Sequence, residues 1–260
     1  SAPFAISTSE AAAMNLQRRV LLECGFTALH AAGINCGSMR LRGGGPTQAC
    51  LFLFTGEGAH AAETDVASLR ASPLWSAVAA AVREHVGHEL DFFLANHLGQ
   101  HAAPGSPMVT TILNLLNADR WCAAGQNPAV VLGHSIGEVA AAYVAGLLTI
   151  SDTICTAHAI GKAGAKRHGA MAHARLTRTE IDEWSDGELR VAAINGVAAK
   201  DLLSVTLCGP VERVELWVAA HEGAKMLTPP HPWHHRMYLD VSIITDGSQF
   251  QTLPVGDATG

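Results

Sequence analysis

One stretch of this chain restricts its possible folds more than any other. Ala129-Val130-Val131-Leu132 is a short apolar run. Gly133-His134-Ser135-Ile136-Gly137-Glu138 follows at once, and then an alanine-rich run to about Gly146. An apolar run of this length, entered after Pro128 and left at a glycine, reads as a buried strand, and the run behind it as a helix. Gly-x-Ser-x-Gly between the two demands a sharp, strained turn that lifts the Ser135 hydroxyl clear of its neighbours. The helix N-terminus and the Ile136 backbone N–H then face any oxyanion forming at that hydroxyl. The pentapeptide alone is common, and it is the position between strand and helix that marks Ser135 as a nucleophile.

A second strand–turn unit precedes it. Cys50-Leu51-Phe52-Leu53-Phe54 is a continuous apolar run that stops at Thr55-Gly56-Glu57-Gly58, which reads either as a plain turn or as a second backbone donor loop for an oxyanion. Helical segments are expected around 61–70, 75–87 and 107–124, the last with Leu113, Leu115, Leu116 and Trp121 facing a core. A further helix is expected from a Ser151-Asp152 cap to about Lys166. Beyond Gly169 the texture changes to short pieces: strand 170–175, a helix from about Thr179, strand 190–194, a turn at Asn195-Gly196, strand 203–208, helix 210–222 and strand 225–228. The whole predicts an α/β fold, a hydrolase-like core with a parallel sheet plus an inserted ferredoxin-like small subdomain.

Composition narrows the function. With 48% hydrophobic and 15% charged residues the chain can bury a good-sized core. Its net charge of -6 is spread out and no long Lys/Arg block exists, which argues against a nucleic-acid footprint. No apolar stretch approaches the ~20 residues of a membrane span. Ser1-Ala2-Pro3-Phe4 lacks a basic region followed by an apolar run, so no signal peptide and a cytoplasmic location are expected. Six scattered cysteines, mostly inside apolar runs, read as buried free thiols.

A serine hydroxyl needs a base. His134 adjoins Ser135 and should leave the turn in another direction. His231-Pro232-Trp233-His234-His235 is the better source, placed after the last small strand where it can fold back over the nucleophile. His85-x-x-His88-Glu89 and His97-x-x-x-His101 have metal-like spacing but no obvious third ligand, and no metal or bound cofactor is expected. A phosphate-binding glycine loop is also missing.

These pieces, in this order, resemble the malonyl-CoA:acyl-carrier-protein transacylases and the acyltransferase domains of polyketide synthases. Phe54-Thr55-Gly56-Glu57-Gly58-Ala59-His60 is similar to the family's Phe-x-Gly-Gln-Gly-x-Gln opening, and residues 133–138 match its Gly-His-Ser-x-Gly-Glu elbow. Ala193-Ile194-Asn195-Gly196 and Val205-Thr206-Leu207-Cys208-Gly209 look like its small-subdomain Asn-Gly and Leu-Ser-Gly region. His231-Pro232-Trp233-His234 looks like its His-Ala-Phe-His. The resemblance implies His234 as base for Ser135, the amides of Glu57 and Ile136 as oxyanion hole, and His134, Ile160, His231, Trp233 and Asn195 as substrate-binding positions. It also implies an acyl-CoA or acyl-phosphopantetheine thioester as substrate, an acyl carrier protein and other polyketide synthase components as partners, and ping-pong transfer in polyketide or fatty-acid biosynthesis. An acyl-thioester hydrolase and a non-catalytic remnant of a synthase are the alternatives, with a generic α/β-hydrolase behind them.

The chain departs from the family where substrate is chosen. Malonyl-type members carry an Arg about 25 residues after the serine to grip the extender carboxylate. Counting forward lands on Ile160, with His158 and Lys162 nearby. The Gln of a family Gln-Pro-Ala piece falls near Pro107-Met108, and the opening Gln is Glu57. An uncharged acyl group, or a loss of transferase efficiency, is therefore expected. Glu10-Ala11-Ala12-Ala13-Met14-Asn15-Leu16-Gln17-Arg18-Arg19 resembles a ketosynthase helix without that enzyme's Cys and His motifs. The expected organisation is a ketosynthase-like remnant and linker over 1–46, a C-terminally short large subdomain over 47–168 and 236–260, and the small subdomain over 169–235.

Overall fold

The structure, a computed structural model, describes residues 50–234 apart from 59, 185, 200, 229 and 230. The ketosynthase-like segment, Cys24, Cys36, His235 and the C-terminal stretch lie outside the described residues.

The apolar run Cys50–Phe54 is strand β1, and Pro128–Gly133 is β2. They pair in parallel, Phe54 opposite Gly133. A parallel pair cannot be joined by a tight turn. The crossover consists of α1 (Val66–Leu69), α2 (Trp75–Val86), α3 (Leu90–His97) and α4 (Gly105–Ala123). After β2 come α5 (Gly137–Val144) and α6 (Ile150–Ala165). The core of this half lies on α4, where Met108, Ile112, Leu115 and Leu116 are fully buried against Val82 of α2, Leu94 of α3 and Ile154 of α6. Each such side chain taken from water contributes about 1.5–3 kcal/mol.

The second half runs β3 (Ala170–Thr177), α7 (Arg178–Asp182), β4 (Arg190–Ala199), β5 (Leu202–Gly209), α8 (Val211–Ala220) and β6 (Lys225–Met226). Its sheet order is β4-β5-β3-β6, antiparallel at every pairing, which is the ferredoxin-like arrangement expected. Alternation along the strands decides the faces. Ala172, Ala174, Leu176, Val205 and Leu207 point into a core with Val214 of α8. On the other face His173 meets Ser204 at 3.0 Å, and the Asn195 amide donates to Thr206 Oγ1 at 2.9 Å.

Several expectations are corrected. Residues 61–70 hold only the single turn of α1, capped by Asp65, whose side chain accepts from the Ser68 N–H. Helix α6 begins earlier than Ser151, because Thr149 and Asp152 form a reciprocal capping box. Asn195-Gly196 is no turn: β4 runs through it with a register shift between Ile194 and Gly196, and the chain reverses between Ala199 and Leu202, where Asp201 takes φ 65°. Helix α3 had no counterpart in the sequence reading. Trp121 is 60% exposed and not in the core. It lies nine positions beyond Ile112, about half a revolution round a helix of ~3.6 residues per turn. There it lines a cavity of about 340 Å³ along β1, away from Ser135. Cys50, Cys122 and Cys208 are free thiols, as expected, but of the described cysteines only Cys208 is fully buried.

Candidate active site

Strand β2 delivers Ser135 at the C-terminal end of the parallel pair, and the glycines around it shape the turn. Ser135 itself takes φ 56°, a left-handed conformation that non-glycine residues seldom adopt. Three close approaches hold it there. The His134 N–H donates to Phe54 O at 3.0 Å, tying the elbow to the end of β1. A Cβ at Gly133 would collide with the backbone of Glu138. One at Gly137 would lie 2.5 Å from Phe54 O and 2.7 Å from Thr55 O. Glycine is required because β1, the elbow and α5 approach each other backbone to backbone.

His234 completes a pair with the serine. Ser135 Oγ and His234 Nε2 are 2.7 Å apart, so with Nε2 unprotonated the hydroxyl donates to it. Two residues of the same loop anchor His234. His231, buried, accepts from the Ala103 N–H through Nε2 at 2.9 Å. The Trp233 indole packs on Gly164 of α6, where a Cβ would meet its ring. Removal of the His234 ring from water lowers its pKa below the usual histidine value, His134 adds to this and Glu138 opposes it. His134 is exposed beside the elbow, its ring next to Gly56 and not in the base position, as its adjacency to Ser135 predicted.

The Thr55-Gly56-Glu57 loop lies across from Ser135. A Cβ on Gly56 would come within 3.3 Å of the Ser135 Cβ. Among the described residues the N–H groups of Glu57 and Ile136 take part in no turn or ladder hydrogen bond, which leaves them free as donors. Helix α4 holds this loop in place. Asn114 Nδ2 donates to Thr55 O at 2.9 Å, and Thr55 Oγ1 donates to Asn114 Oδ1 at 3.3 Å. The Glu57 carboxyl is drawn under the loop towards Ser106 and Trp233. Burial raises its pKa to about 7, while the Ser106 hydroxyl and the Trp233 indole N–H act in the opposite direction.

Two further groups stand behind Ser106. His60 Nε2 is 3.3 Å from Ser106 Oγ, and His60 Nδ1 accepts from the Gly99 N–H at 3.2 Å. Burial, with His101 beside it, lowers His60 to about 4. The sequence reading missed Ser106, His60 and Asn114. Asn114 had a visible signal, a polar residue inside Ile112-Leu113-Asn114-Leu115-Leu116. The described contacts do not join Asn195 or Ile160 to Ser135. Asn195 bonds across its own sheet, and Ile160 sits on α6 beside Gly161, which packs on Pro104. The histidines with metal-like spacing have other neighbours: His85 meets Ser151 Oγ at 2.7 Å, His97 packs on Phe93, and His101 on His60.

Residues 51–227, more than half of the chain, match the model of the acyl transferase domain. The chain belongs to that family. As an acyltransferase domain it is 34% identical over 161 residues to erythronolide synthase EryA2 of Saccharopolyspora erythraea, covering 56% of this chain and 4% of that protein. It is 27% identical over 238 residues to the highly reducing polyketide synthase calA of Penicillium decumbens, covering 82% of this chain and 8% of that protein. The chain thus spans less than a tenth of the length of these relatives. Among solved structures it is similar to a loading acyltransferase from the avermectin modular polyketide synthase, with TM-score 0.55 and 26% identity over 72% of this chain and 64% of that one. At 22% identity and TM-score 0.64 it shares the fold of the malonyl CoA-acyl carrier protein transacylase of Coxiella burnetii, over 78% of this chain and 69% of that one. The expected α/β class and the acyltransferase resemblance are both met. No helix among the described residues is long and apolar enough to cross a membrane.

Proposed function

We propose that this acyltransferase domain carries an acyl group from a thioester of coenzyme A or phosphopantetheine to the thiol of an acyl carrier protein, by way of an ester on Ser135. The observation that carries the reading is the 2.7 Å contact between Ser135 Oγ and His234 Nε2 at a strained elbow. In the first half-reaction the Ser135 proton passes to His234 Nε2 as Oγ attacks the thioester carbonyl. The carbonyl oxygen becomes an oxyanion that accepts from the N–H groups of Glu57 and Ile136. Collapse of the tetrahedral adduct breaks the C–S bond, and the departing thiolate takes the proton back from His234. In the second half-reaction the carrier thiol gives its proton to His234, attacks the ester, and Oγ leaves and is reprotonated. No cofactor enters either half.

The acyl group is uncharged in this reading. Ile160 stands where a malonyl-type member has its Arg, so the charge-assisted pair that would hold a carboxylate is missing. The natural setting proposed is a polyketide or fatty-acid synthase, with its carrier protein as partner. Incubation with acetyl-, longer acyl- and malonyl-thioesters, followed by intact-mass analysis, tests this. The acetyl or longer acyl adduct is expected on Ser135 and none on Ser135→Ala. Preferential labelling by malonyl overturns the uncharged-substrate reading. Release of free acid with no carrier-bound product identifies a hydrolase.

A further inference from the structure

The residue that departs from the family's opening motif is also the one whose side chain the elbow, α4 and the base-bearing loop share. Glu57 places its backbone N–H at the oxyanion position of the proposed reaction, while its carboxyl turns beneath the loop. Ser106, fully buried in the first turn of α4, and Trp233, the neighbour in sequence of His234, both lie against the carboxyl. Oε1 of Glu57 and Nε1 of Trp233 are nonetheless buried without a hydrogen-bond partner of good geometry. A carboxylate in this place is therefore incompletely solvated.

The donors are fixed by the groups behind them. His60 Nδ1 is occupied by the Gly99 N–H, so the ring proton is on Nε2 and is directed at Ser106 Oγ. That leaves the Ser106 hydroxyl hydrogen for Glu57. The titratable groups around the carboxyl are His60 and His101 beyond Ser106, His231 against Trp233, and His134 and His234 at the nucleophile. Burial disfavours the charged form of His60, His231 and His234 alike, and Glu138 stands towards the two histidines at the elbow.

We propose that Glu57 is a proton-gated positioning residue. In its neutral form its buried carboxyl lies unpartnered beneath the loop without adding charge, and in its ionised form it sets a negative charge on the residue whose own N–H receives the oxyanion and slows the attack of Ser135. The inference rests on the acyl-transfer reading above. It sets two opposing proton requirements on one site, because His234 must be deprotonated to act as base while Glu57 must stay protonated. Ionisation of Glu57 also repels an acyl group that carries its own carboxylate, so malonyl is rejected more strongly as pH rises.

The experiment is the rate of Ser135 acylation by acetyl-CoA in single-turnover reactions from pH 5 to 9, read by intact mass. In the unsubstituted protein the rate is expected to rise as His234 loses its proton and then to fall, reaching roughly a tenth of its maximum by about pH 8 for a carboxyl that ionises near 7. Glu57→Gln keeps the shape and one acceptor. It is expected to remove the alkaline fall and leave the acid limb where it was. Ser106→Ala removes a donor to the ionised form and is expected to shift the fall to higher pH. A purely structural role lowers the rate of Glu57→Gln equally at every pH, and that outcome, or an alkaline fall unchanged in Glu57→Gln, overturns the inference alone. An unsubstituted protein with no Ser135 adduct at any pH overturns the acyl-transfer reading and the inference with it.

Discussion

At the scale of single residues, two groups carry opposite relations to water. Ser135 Oγ and His234 Nε2 meet in one exposed hydrogen bond of 2.7 Å. Ser135→Ala is expected to abolish the acyl adduct, and His234→Ala to slow its formation by about a thousandfold or more, as measured by intact mass over time. Glu57 is the reverse case, a carboxyl kept from water. Its ordinary pKa of 4.5 is raised to about 7 in the folded protein, so between those values the folded chain holds a proton that the unfolded chain releases. Stability therefore falls as pH rises from 4.5 towards 7, and above pH 7 the full penalty is present, of order 3 kcal/mol. Glu57→Gln has no proton to lose. Its urea midpoint is expected to exceed that of the unsubstituted protein at pH 8 and to match it at pH 4, and equal differences at both pH values would argue against the burial of this charge.

At the scale of elements, the site depends on where helices start and what they clamp. Helix α4 reaches the Thr55-Gly56-Glu57 loop through Asn114. Asn114→Leu leaves the Thr55 carbonyl without its donor in a part-buried place and is expected to destabilise by about 1–3 kcal/mol. The same variant should slow Ser135 acylation more than its stability loss explains, since the loop bearing the Glu57 amide loses its anchor. Helix α6 depends on its cap: Thr149→Ala is expected to lower stability by about 1 kcal/mol in thermal melts. Gly137→Ala drives a methyl group against the Phe54 and Thr55 carbonyls, so loss of the Ser135 adduct is expected even where the protein remains folded.

At the scale of the whole molecule, two hydrophobic clusters serve one site. The helical cluster supports Ser135 and the Thr55-Gly56-Glu57 loop, and the sheet cluster precedes the loop that bears His234. Leu115→Ala and Leu207→Ala, one in each, are each expected to cost about 2–5 kcal/mol. Because the two share no cluster, their costs should add within about 0.5 kcal/mol in a denaturant-unfolding cycle. A large coupling between them would show that the two halves fold as a single packed unit.

What the sequence determined by itself was local. The strand–elbow–helix around Ser135 and the βαββαβ order of the second half follow from short-range pattern: apolar runs, glycine punctuation, alternation of period two. The resemblance to acyltransferases added His234 in particular, which spacing alone left among several histidines. Trp121 and Asn195-Gly196 were misread because local signals do not say which side of a helix meets the core, or whether a glycine turns a strand or only bulges it. Tertiary structure alone decided the surroundings of the Glu57 carboxyl. Ser106, Trp233, His60 and Asn114 come from α4 and from loops before and after it, and their meeting depends on how those elements pack. A side chain's pKa follows from the water and charge around it in space, so Glu57 could be read from sequence as a departure from a motif but not as a carboxyl whose pKa burial raises.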